Sequence, residues 1–181
     1  MSASGLWRVT VLTKSVLAIS IGIFGLLVAW TNLVAYDINF QFVQHVLSMD
    51  ALASWAQNAA IMDRAIANPA FHQIAYAAII FAEMLVGLLC VVGGLCLLMA
   101  LHDSYQGALS IGKVCVLLGC GIGIGLWYLG FAVIGAEYFM MWASQWNGQS
   151  TAYTFAAFLL LAMIYVAQSE PARSSQGDGS A

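Results

Sequence analysis

Charge is what this chain has least of. Lys, Arg, Asp and Glu make up 7% of its 181 residues, five cations against eight anions, where a soluble domain carries roughly 25%. So few charged groups cannot clothe a water-facing surface. The solvent must be lipid. A formal net charge of −3 without any basic cluster excludes a nucleic-acid partner. The three histidines, His45, His72 and His102, fall at span edges or in loops rather than inside helices, which argues against haem. No HxH, HxxxH or CxxC spacing marks a metal site, and no flavin or quinone signature is present. Serine, cysteine and histidine never fall together at one site, so no catalytic residue is assigned and no cofactor is expected.

What the chain has is apolar length, with 62% of its residues hydrophobic. About 20 such residues are needed to cross about 30 Å of hydrocarbon at 1.5 Å per residue. Four windows qualify, at about 9–36, 74–101, 108–135 and 151–168. In lipid each must be helical, because the backbone has no other hydrogen-bonding partner. The expected fold is all-α: a single integral membrane four-helix bundle over 1–168. A short amphipathic helical region is expected in the first periplasmic loop (37–73), and a disordered cytoplasmic tail over 169–181. The first window is too long for a signal peptide and lacks a clear cleavage site, so it reads as a retained span. Arg8, Lys14, Lys113 and Arg173 fall on the side of the termini, and only Arg64 on the other. That predicts the inner membrane of a bacterium, with both termini cytoplasmic.

The middle spans carry the cysteines and a glycine run. Cys90 pairs in depth with Cys120, and Cys96 with Cys115. Within each helix, however, the two point about 120° and 140° apart, so four thiolates cannot meet at one metal. They read as small packing residues, with room for one close pair. "GCGIGIG" predicts two close-packing faces, Gly119-xxx-Gly123 and Gly121-xxx-Gly125.

The loop at 37–73 begins "DINFQFVQHVLSMD". Gln41, Gln44, His45 and Ser48 share one helical face, which predicts a helix roofing the bundle with Asn39 as its N-cap. A second short helix is expected within "LASWAQNAAIMDRAI", ending before Pro69. Trp142 and Trp146 read as interfacial anchors. His45, Met49, Asp50, His72 and Glu137 all lie on this side. His45, Met49, His72 and Glu137 are the metal-ligand candidates by donor type, set against a reading of the same residues as a polar network.

"NFQFVQHVLSMD" (39–50), the isolated Glu83, and "GAEYFMMWASQWNGQ" (135–149) resemble a bacterial family of predicted small integral membrane proteins, grouped as a domain of unknown function. The distinctive outer-face residues are Asn39, Gln41, His45, Asp50, Glu137, Trp142, Trp146 and Asn147. The resemblance implies four membrane helices and no established activity.

Glu83 sits in the apolar run "AIIFAEMLVGLLC", where an ionised side chain costs at least about 2.5–3.5 kcal/mol. It lies about nine residues, or roughly 14 Å, below the outer end of its span, which predicts the midplane. Tyr128 lies level with it, and Asn32 about a turn nearer the outer surface. With no Lys or Arg at that depth, Glu83 is expected to be neutral and to face the interior. The leading reading is a small non-enzymatic membrane protein, an accessory subunit whose partners are the bilayer and other subunits or further copies of itself. The alternative is a transporter or ligand-binding protein using Glu83 and the outer His/Met/Glu cluster, and third stands an oxidoreductase subunit borrowing its partner's cofactor.

Overall fold

The computed structural model describes residues 3–102 and 107–172. Residues 1–2 and 103–106 and those from 173 onward, with Arg173 and most of the expected disordered tail, lie outside them. Helix α1 (Ala3–Val34) rises from the end that carries both termini. The chain bends at Ala35 and continues at once as α2 (Tyr36–Ser48). The expected N-cap, Asn39, is therefore inside a helix that starts three residues earlier. An Asn marks a helix start only where the backbone leaves helical geometry, and here that happens at Ala35 (φ −110°, ψ 42°).

After α2 comes a short helix, α3 (Ala59–Met62), whose N-cap Asn58 accepts from the Ala60 amide. Helix α4 (Pro69–Met99) follows. The Asn68 side chain accepts from the amides of Ala70 and Phe71, and Pro69 occupies a position that needs no N–H. Hydropathy alone placed this start at Ile74, because the polar first turn carries His72 and Gln73. The third span is α5 (Ala108–Ile124), prolonged by a π-helical segment (Gly125–Tyr138). The last is α6 (Gln149–Ala167), whose 19 residues reach about 28 Å at 1.5 Å each. All four are long and apolar enough to cross a membrane.

The spans run up, down, up and down. Helix α1 packs along α4, α4 along α5, and α6 against α5 and its π segment, while α1 and α6 meet only sparingly. Close approach depends on glycine. A Cβ on Gly87 would lie 2.6 Å from the Leu26 side chain and 2.8 Å from its backbone nitrogen. A Cβ on Gly93 would lie 2.8 Å from the Gly112 carbonyl oxygen. The glycine run of α5 divides. Gly119 and Gly123 face Cys90 and Leu159, but Gly121 and Gly125 have open space where a side chain would go. Among the described residues, the second expected face therefore packs against no other helix of this chain. Residues two apart on a helix point about 200° apart, so both overlapping pairs cannot face in. Cys90 and Cys120 are fully buried, and all four cysteines are free.

Candidate functional site

Glu83 is 4% exposed on α4. Asn32 of α1 donates to its Oε2 at 2.6 Å, and the Tyr76 hydroxyl donates to the Asn32 carbonyl at 3.0 Å. Among the described residues no hydrogen bond reaches the other carboxyl oxygen, Oε1, yet that oxygen is not sealed in. Glu83 helps to line a cavity of about 280 Å³. Asn32, Asn39 and Thr151 are the cavity's other polar side-chain contributions besides Tyr76. Phe42, Trp127, Phe131 and Phe155 supply aromatic wall.

One sequence expectation changes here. Tyr128 does not reach Glu83: it is 49% exposed, and its ring lies 6.2 Å from that of Tyr153. Neighbouring helical residues point about 100° apart, so only one of Trp127 and Tyr128 can face inward, and Trp127 does. Asn32 stands two residues from the end of α1, while Glu83 is the fifteenth of the 31 residues of α4. Tyr76 of α4 also packs edge-on against Tyr36 of α2.

The π-helical segment shapes this cavity. Its buried residues are Trp127, Ala132, Gly135 and Ala136. At about 100° per residue an α-helix would set Trp127 and Ala136 on opposite faces, and the wider π winding brings both inward. The amide of Phe139 bonds the Ile134 carbonyl, five residues back, at 3.1 Å. Such winding is rare and concentrates at functional sites. No pattern of apolar residues announces it.

The outer-face residues separate into small networks. His45 Nδ1 lies 2.8 Å from Asp50, and its ring stacks on Trp146 at 4.6 Å. His72 is buried, with Nε2 2.6 Å from the Ile66 carbonyl. Gln149 donates to Glu137 at 3.2 Å, and Asn147 accepts from the Gln149 amide. Met49 is buried in a left-handed turn that ends α2. Gln41 is exposed, and Trp142 pairs with Trp55 at 5.6 Å. Among the described residues, no three His, Cys, Asp or Glu side chains converge. The structure thus does not assemble the metal candidates His45, Met49, His72 and Glu137 into one site.

The family model for predicted small integral membrane protein, a domain of unknown function (DUF2165), matches residues 10–169. The chain belongs to this family. It matches no curated protein and no solved structure.

In this DUF2165 protein the termini end holds a second buried charge that sequence reading missed. Lys14 on α1 is fully enclosed. Its ammonium donates to the carbonyls of Val166 (3.3 Å) and Gln168 (2.6 Å) and to Glu170 (2.7 Å), and it lies 5.5 Å from the Tyr165 ring centre. Lys113 of α5 donates to the same Gln168 carbonyl at 2.8 Å and to Glu170 at 3.2 Å. Two lysines from neighbouring helices thereby satisfy the carbonyls that the end of α6 leaves free. Burial would raise the Glu170 carboxyl, but hydrogen bonds from Lys14 and Lys113, with their charge, outweigh it and hold it below its ordinary value. Lys14 and Lys113 read as flanking charges in the sequence, and only the position of Glu170 just past an apolar span hinted at a partner.

Proposed function

We propose that this integral membrane protein binds a small ligand in the cavity beside Glu83, as a carrier or receptor without catalytic chemistry. The observation that carries the reading is a carboxyl 4% exposed, with one oxygen unbonded and a cavity of about 280 Å³ against it. A carboxyl kept only to fix helix register would have both oxygens matched and no space beside it. Polar groups few and convergent in an aromatic chamber are the usual composition of a ligand pocket. The excess of positive residues at the termini end supports a bacterial inner-membrane location with cytoplasmic termini, which would set the cavity in the periplasmic half.

A subunit role is the second reading. The exposed pair Trp55 and Trp142 at the loop end favours it, since aromatic side chains are enriched where membrane subunits and lipid headgroups meet.

Small molecules retained by the protein, freed from native membranes into mild detergent, separate these readings by mass spectrometry. A compound held by the wild type and lost in a cavity-filling Val28→Phe variant is expected. Identical small-molecule content in both proteins would overturn ligand binding, and a stoichiometric protein partner would then favour the subunit.

A further inference from the structure

The wall of the Glu83 cavity specifies more than a ligand of suitable size. Five of its fourteen lining residues are aromatic: Phe42, Tyr76, Trp127, Phe131 and Phe155. The rings come in close sets, Trp127 and Phe155 with centres 5.4 Å apart and Phe42 and Phe131 6.1 Å apart. One acid faces them and no base does. Around Glu83, α1 contributes Asn32, α2 Asn39, the π segment Trp127 and α6 Thr151, none of which titrates. Tyr76, on α4 itself, is the one other titratable lining group, and its hydroxyl proton is directed to the Asn32 carbonyl.

A second cavity, of about 330 Å³, shares Trp127 and Phe155 with the first. It lies between α1 and α6, where those helices part, and is lined chiefly by Phe24, Val86, Phe158 and Leu159. The chamber around Glu83 has one acidic point, and the apolar second cavity flanks the same two rings.

We propose that this chamber takes a lipophilic organic cation, an alkyl- or arylammonium, with its charge at Glu83 and its substituents against the aromatic walls and in the cleft between α1 and α6. The proposal rests on the ligand-binding reading above. Aromatic faces attract a cation through their quadrupole, most strongly when water is excluded. An inorganic cation would need several oxygen ligands to replace its hydration shell, and this wall offers few. A quaternary ammonium brings its own alkyl coat and needs only the rings and one opposite charge.

Charge balance fixes the accompanying step. In the empty chamber the carboxyl carries its proton, because an uncompensated carboxylate there is costly. When the cation enters, the proton leaves Glu83 for the solvent and the carboxylate pairs with the ligand. The O–H bond breaks, no other bond changes, and the chamber's net charge is zero before and after. Cation and proton therefore compete for one group.

Titration calorimetry on the protein in lipid nanodiscs, with empty discs as the blank, tests this directly. The probes are benzyltrimethylammonium and its uncharged isostere, 2,2-dimethylpropylbenzene. The cation is expected to bind with release of one proton, and its affinity to rise about tenfold per pH unit while the proton competes. Binding of the uncharged isostere should be far weaker. Glu83→Gln should lower cation affinity at least about tenfold and abolish the proton release. If Glu83→Gln fails to fold, Phe155→Leu replaces it, with an expected loss of about fivefold to thirtyfold for the cation alone.

Equal affinity for both probes, unaffected by these variants, would overturn the cation proposal and leave an apolar-ligand site. Binding of neither probe, by a protein that still retains a native compound sensitive to Val28→Phe, would also overturn it while ligand binding stands. Neither probe bound and no compound retained would end both.

Discussion

At the residue scale the protein places two ionisable side chains where neither meets water, and it satisfies them in opposite ways. Lys14 is fully partnered, by two carbonyls and a carboxylate. Removing it leaves Glu170 and the end of α6 uncompensated. Lys14→Met is expected to cost about 3–5 kcal/mol, seen as a lower midpoint of thermal unfolding in detergent. Lys113→Met should cost less, because Lys113 is more exposed. The pH dependence follows from Glu170, whose folded carboxyl lies below its ordinary value. A depressed carboxyl binds fewer protons folded than unfolded. Its contribution is therefore present above the ordinary carboxylate range and is lost as pH falls through the folded value. The stability difference between wild type and Glu170→Gln should shrink on that acid side, and a difference that grew instead would contradict the clasp. Glu83 is only half partnered. Asn32→Leu removes its donor and is expected to cost about 1–3 kcal/mol. An unchanged melting curve would mean that this bond holds nothing.

At the scale of elements, the helices pack through backbone approach rather than large side chains, as lipid requires when it is as apolar as the protein. Gly87→Leu would drive a side chain into Leu26 and its backbone, so α1 should part from α4 and the protein lose its thermal transition or fail to assemble. Gly121→Leu meets open space and should change stability by no more than about 0.5 kcal/mol. Both glycines lie in apolar spans, so equal effects would refute the helix pairing. The π segment turns Trp127 toward Glu83 while leaving Tyr128 outside. It lets one helix serve as packing element near Gly119 and as cavity wall ten residues later.

At the scale of the whole molecule, one end is tied by ionic and carbonyl contacts and the other is roofed by short helices over a cavity. The periplasmic placement of that roof is tested by cysteine labelling in a cysteine-free background. Ala60→Cys should react with an impermeant maleimide added to intact cells, and Gly107→Cys only after lysis. The number of spans and their alternating order follow from the sequence alone, since the thickness of hydrocarbon dictates how many apolar residues a crossing needs and the loops are short. The polar Glu83 was conspicuous for the same reason, and Asn32 was named as a candidate donor. What tertiary structure alone decided is direction. A soluble helix announces its buried face by alternating polar and apolar sides, but these spans are apolar all round and carry no such record. Hence Gly121 and Gly125 could not be told from Gly119 and Gly123, nor Tyr128 from Trp127, until the neighbouring helices were in place. Lys14 stood in the sequence as a boundary charge. Only the returning end of α6, more than 150 residues later, brings it the carbonyls that make its burial possible.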